Sequence, residues 1–147
     1  MRYLIFAALA ALGACAQAPA PLQGEALVAR GDYLVNGVVL CGDCHTPMGP
    51  QGPDVAHRLQ GGPIPMAPTI EMPFATVAPS IARIPANFTE EQFVSFLQTG
   101  VRPDGSSPRP PMPPYRLNEE DARAVAAYIA TLPRGDDAPT PAPAPAP

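Results

Sequence analysis

The sequence predicts an all-α fold of about three to five short helices separated by long proline-rich loops. Three observations predict it. Stretches near residues 24–36, 89–99 and 118–132 carry apolar residues at helical spacing. Between the first two, residues 46–88 form a 43-residue run with nine prolines and no sustained periodicity. Just ahead of that run stands Cys41-Gly42-Asp43-Cys44-His45, whose chemistry supplies something for an irregular chain to fold around.

Cys-x-x-Cys-His is the haem c attachment pattern. Two thiols three positions apart can each add to one vinyl group of the same porphyrin, and the next histidine is then held under the iron. Cys41 and Cys44 are therefore read as covalent anchors, and His45 as the proximal ligand, of one haem c. Cys-x-x-Cys also serves dithiol oxidoreductases and zinc half-sites. The first of these wants βαβ units around the motif. The second wants another ligand pair, and only His57 and Cys15 remain. Neither needs the adjacent histidine. Composition agrees with a core filled by a cofactor: no tryptophan, 6% aromatic residues and 23 prolines leave little material for an ordinary one.

The chain opens on an export pattern. Arg2 is a minimal positive region, residues 3–12 form an apolar run, and small residues follow. The run is far short of the ~20 residues that cross a bilayer. Leu12-Gly13-Ala14-Cys15 resembles the lipobox of bacterial lipoproteins, so residues 1–14 are expected to be removed and Cys15 acylated. Ordinary cleavage near Ala14-Cys15-Ala16 or Ala16-Gln17-Ala18 is the rival and would give a soluble periplasmic protein. The lipobox is preferred because it accounts for an otherwise unpaired third cysteine. Either route delivers the chain to the periplasmic side, where bacterial haem c is attached. Residues 15–23 then serve as a Pro/Ala-rich tether and residues 24–133 as the domain. Residues 134–147, ending in Ala-Pro repeats, make a tail that does not pack.

Within the domain the first helix runs from Gly24 toward Asn36, with Leu27, Leu34 and Val38 near one face and Gly31 on the side of Leu27. The second begins at Thr89, in capping-box spacing with Gln92, and carries Phe93, Phe96 and Leu97 on one face. In the third, Asn118 caps and Glu119, Glu120 and Asp121 favour the N-terminal dipole. Ala122, Val125, Ile129 and Leu132 form its stripe, and Pro133 ends it. A 43-residue loop is unusual in a compact domain unless it has a task. Wrapping a flat apolar cofactor is such a task.

A six-coordinate iron needs a ligand on its other face. Met48 is only three residues from His45 and cannot reach over the ring. Met112 lies in Pro110-Pro111-Met112-Pro113-Pro114, where four fixed φ angles present a thioether with little ordering cost. Met112 is therefore the preferred ligand, with Met66, His57 or an open position as the alternatives.

Together these residues resemble the class I c-type cytochromes over roughly residues 24–133. The carriers are Gly31-Asp32-Tyr33-Leu34-Val35, Cys41 to Pro47, Leu59-Gln60-Gly61-Gly62, Phe93 to Gly100, Pro111-Met112-Pro113 with Tyr115, and Asp121 to Pro133. Their order is most similar to the cytochrome subunits that accept electrons from bacterial alcohol, aldehyde or sugar-acid dehydrogenases. The resemblance implies the cytochrome c fold, with first and last helices crossing at Gly31, Tyr33 and Tyr128. This chain departs from those subunits in two ways. They carry three haem motifs as a rule and this chain has one, and their Asn-x-Thr-Pro-Asp stretch before the middle helix is absent here.

With His45 and Met112 both on the iron, the expected function is single-electron transfer rather than catalysis. The expected partners are redox proteins: a dehydrogenase as donor, an oxidase or another cytochrome as acceptor. They would dock near Cys41, Cys44 and the loop 102–116, where Arg102, Arg109 and Arg116 offer positive charge to an acidic partner. A net charge of −4 without a basic cluster argues against nucleic acid. Two rival readings stand beside this one: a haem enzyme with an open sixth position, and a haem-free CxxC module.

Overall fold

A computed structural model of the chain describes residues 20–133. The expected signal, Cys15, most of the tether and the tail lie outside them. Helix α1 (Gly24–Tyr33) runs into a π-helical turn (Leu34–Val38), followed by the single turn α2 (Gly42–His45). Two-residue strands β1 (Met48–Gly49) and β2 (Gly52–Pro53) precede a 3-10 turn at Val55–His57. Strands β3 (Gly62–Pro63) and β4 (Val77–Ala78) and helices α3 (Glu90–Thr99) and α4 (Glu119–Thr131) complete the order. Both strand pairs are antiparallel, with Met48 opposite Pro53 and Gly62 opposite Ala78.

The two later helices start where side chains satisfy their first amides. Thr89 Oγ1 accepts from the Gln92 N–H at 3.2 Å, and Gln92 Oε1 accepts from the Thr89 N–H at 2.9 Å, closing a capping box. Asn118 Oδ1 accepts from the Asp121 N–H at 2.8 Å, and three acidic residues occupy the first turn of α4.

The frame is the crossing of α1 over α4. Gly31 lets the backbones touch: a Cβ there would lie 1.9 Å from the Ala124 carbonyl oxygen and 2.7 Å from Tyr128 Cβ. Arg30 pairs with Asp121 at 2.8 Å, and Asn36 Nδ2 donates to the Tyr128 hydroxyl at 3.1 Å, so polar contacts flank the apolar crossing. Helix α3 also packs on α4, and its Phe93, Val94, Phe96 and Leu97 are all buried. Phe88 meets Phe93 edge-on at 5.7 Å. Because α4 packs against both α1 and α3, it buries Ala124, Ala126 and Tyr128 as well as Ala122, Val125 and Ile129. A single stripe understates it.

Two expectations about α1 need correction. Val38 does not share the face of Leu34; it is 52% exposed, and Val39 packs on the core instead. The wide π-helical turn holds one residue more than an α turn and so rotates the residues after it about the helix axis. Tyr33 does not join the crossing either. It is 59% exposed, with the Arg30 guanidinium 5.7 Å from its ring. The run 46–88 is mostly irregular as expected, apart from the two short ladders and the 3-10 turn. Among the described residues, no helix is long and apolar enough to cross a membrane.

Candidate cofactor site

The site starts with one helical turn. Cys41, Cys44 and His45 fall at i, i+3 and i+4, which places them on one face. The turn is anchored by the Cys41 N–H on the Val35 carbonyl (3.1 Å) and closed by the His45 N–H on the Cys41 carbonyl (3.0 Å). Leu40, entering it, takes the left-handed φ of 56°. This is a strained conformation for a γ-branched residue and is of the kind that gathers at functional sites.

That face borders a cavity of about 560 Å³, within the size range of cofactor sites. Ile64, Val77, Ile81, Phe96, Leu97 and Val125 are among its apolar walls, and Met112 borders it too. Four residues named from the sequence, Cys41, Cys44, His45 and Met112, thus line one space. The other candidates do not. Met66 is 52% and Met72 40% exposed, Met48 is exposed, and none borders the cavity. His57 is partly exposed, its Nδ1 2.6 Å from the Asp54 carboxylate, and is likewise outside the lining. Arg102 and Arg109 border the cavity, Arg102 donating to the Ser107 carbonyl at 2.6 Å. Arg116 instead donates to the carbonyls of Pro114 and Tyr115.

The imidazole of His45 is fixed by its surroundings. Nδ1 lies 2.8 Å from the Pro79 carbonyl oxygen, which can only accept, so Nδ1 carries the proton and Nε2 keeps a lone pair. Burial lowers the His45 pKa, while the bond to Pro79 works the other way, so the ring is neutral. Behind Pro79 stands Gly61, whose N–H donates to the His45 carbonyl at 2.7 Å. Gly61 has φ +83°, and a Cβ there would lie 2.6 Å from the Ser80 nitrogen and 2.7 Å from the Ala78 oxygen. Leu59 adds to this seam: its carbonyl accepts from the N–H groups of Ile81 (2.8 Å) and Ala82 (2.9 Å). Sequence reasoning missed two contacts of the site: the Pro79 carbonyl on His45, and the Tyr115 hydroxyl, which donates to the Val39 carbonyl at 3.1 Å. Leu59-Gln60-Gly61-Gly62 was the signal available for the Pro79 seam.

Burial pushes the Cys41 thiol up to about 11, with the charges of Asp43 and Cys44 adding to the effect. Cys44 is raised as well, by burial and then by Asp43. Both thiols are therefore neutral at pH 7, whereas dithiol redox centres depend on a depressed pKa. Two neutral thiols, an imidazole with a free Nε2 and a soft thioether around an apolar space fit a haem.

Comparison with known proteins points the same way. The cytochrome c family model matches residues 28–133. The chain is 36% identical, over 117 residues, to the fructose dehydrogenase cytochrome subunit of Gluconobacter japonicus, covering 78% of this chain and 23% of that protein. It is 33% identical over 110 residues to a diheme cytochrome c-type protein of Cereibacter sphaeroides, covering 71% and 35%. A further similarity, 33% over 116 residues covering 72% and 24%, is to the cytochrome c subunit of the quinone-type alcohol dehydrogenase of Gluconacetobacter polyoxogenes. The chain thus spans a third or less of the length of two of these relatives, and 35% of the other.

Proposed function

The chain belongs to the cytochrome c family, whose chemistry is electron transfer through haem c, and on that premise we propose a single-electron carrier with one covalent haem. In this reading Cys41 and Cys44 would form the thioethers to haem, and His45 and Met112 would hold its iron. The observation that supports it is that these four side chains border one apolar cavity.

Bound haem c supplies a one-electron iron couple. The chain's own residues hold and tune it. Pro79 keeps the His45 proton on Nδ1, so Nε2 is the atom free to ligate. The Met112 thioether, a soft ligand, would favour the reduced metal and raise the potential relative to a second imidazole. Leu97, Val125 and Ile129 give the cavity apolar walls against which the flat ring would pack. If His45 and Met112 both held the iron, no position would be left for substrate, which supports electron transfer as the task.

The relatives' names place them in dehydrogenase complexes, and from that likeness we assign a dehydrogenase as donor and an oxidase or cytochrome as acceptor. Arg102 and Arg109 at the cavity border supply positive charge for docking. The Leu12–Cys15 pattern supports export, acylation of Cys15 and attachment to the periplasmic face of a membrane, with residues 15–23 as tether. The raised thiols argue against the haem-free dithiol reading, and Met112 at the cavity argues against an open-site enzyme.

Intact mass of mature protein from its own periplasm should equal polypeptide plus one haem plus acyl chains. A mass without haem would reject the electron carrier. Palmitate label that persists after Cys15→Ser would reject the anchor alone.

A further inference from the structure

Residues 108–114 read Pro-Arg-Pro-Pro-Met-Pro-Pro, so only Arg109 and Met112 have a backbone N–H there. The Met112 N–H is used locally, on the Arg109 carbonyl at 3.2 Å. A segment so short of donors is tied to the rest of the molecule through its carbonyls and its flanking side chains. Two such ties are present. The Ala75 N–H donates to the Pro110 carbonyl at 2.7 Å. The Tyr115 hydroxyl donates to the Val39 carbonyl, 76 positions away in sequence, at 3.1 Å.

The second tie has the more consequential partner. Val39 directly follows the π-helical turn, and Val35 within that turn accepts the N–H of Cys41 at 3.1 Å. Tyr115 also borders the cavity, half-buried. Its hydroxyl thus joins the stretch that bears Met112 to the stretch that leads into Cys41, Cys44 and His45. Without that bond the packing of the ring remains, but the hydrogen-bonded link between the two stretches does not.

We propose that Tyr115 is a positioning residue for the sixth ligand: its hydroxyl clamps the Met112 segment to the Val39 carbonyl and sets how readily the thioether yields to an external ligand. The inference rests on the reading of Met112 as an iron ligand. Tyr115→Phe keeps the ring and deletes only the clamp. The net strength of one hydrogen bond corresponds to about two- to tenfold in an equilibrium constant.

The test is imidazole titration of the ferric holoprotein, well below its melting temperature, for wild type, Tyr115→Phe and Met112→Ala. The expected result is imidazole affinity about two- to tenfold higher in Tyr115→Phe than in wild type. Met112→Ala should bind tighter still. Tyr115→Phe at wild-type affinity, with Met112→Ala opened, overturns the clamp and leaves the ligand reading standing. A Tyr115→Phe protein that only melts at a lower temperature likewise overturns the clamp, since that is a purely structural role. Unchanged affinity in Met112→Ala overturns both.

Discussion

His45 Nδ1 lies 2.8 Å from the carbonyl oxygen of Pro79, 34 positions further along the chain. The contact makes the imidazole's tautomer a property of the loop that runs from β3 through β4 rather than of the helical turn that carries the ring. That loop segment is in turn backed by Gly61, which is bonded to the His45 carbonyl. A closed path of contacts therefore surrounds His45.

Gly61→Ala should break that path. The added methyl would sit 2.6 Å from the Ser80 nitrogen, at a φ of +83° that L residues rarely adopt. Overpacking and the left-handed backbone together predict a loss of about 2–4 kcal/mol. Denaturant melts of the holoprotein would show it as a lower midpoint at constant slope. Wild-type stability would mean that the seam behind Pro79 can open without cost.

Met112→Ala should remove the sulfur-to-iron charge-transfer band of the oxidised protein in the near infrared. The potential should fall, and the reduced form should bind carbon monoxide rapidly. A spectrum and potential identical to wild type would reject Met112 as ligand and return Met66 and His57 to consideration.

Gly31→Ala tests the helix crossing without touching the cavity. A Cβ at 1.9 Å from the Ala124 oxygen cannot be accommodated unless α1 lifts away from α4. The expected cost is about 1–3 kcal/mol or more, with haem content per folded molecule unchanged. Haem lost in proportion to stability would show that the crossing and the cofactor wall are one cooperative unit.

The Asp54–His57 pair gives a pH prediction of definite sign. The hydrogen bond from His57 is the chief cause holding the Asp54 carboxyl below its ordinary 3.8. A depressed folded-state pKa contributes stability that is complete above about pH 4 and is lost as pH falls through the folded value. His57→Ala should bring Asp54 back toward 3.8 in a carboxyl titration followed by nuclear magnetic resonance. An unmoved midpoint would show that the backbone amides alone set it.

The helices were legible because their signals are local. The Thr89–Gln92 box and the Asn118 cap involve residues three apart, and both are present with the expected geometry. The face of Phe93, Phe96 and Leu97 follows from the 3.6-residue period and is buried. The π-helical turn was not legible, since no residue type marks an extra position in a helix; hence helical spacing puts Val38 near the face of Leu34, whereas the structure exposes it. Nor was the partner of His45, because a carbonyl carries no side-chain signature and Pro79 approaches only through the tertiary fold. The proline pattern around Met112 singled it out, and it borders the same cavity as the two cysteines. The bond from Tyr115 was hidden for a related reason: its hydroxyl meets backbone, and backbone acceptors look alike in sequence.

The proline-dense stretch over the cavity has one more consequence. Five of the seven residues from Pro108 to Pro114 bear no amide hydrogen, so deuterium uptake measurements would be nearly blind to it. Whatever breathing admits solvent above that wall would have to be followed through carbon-bound protons, such as the methyl of Met112. A peptide map showing a quiet surface there would be reporting missing probes rather than stillness.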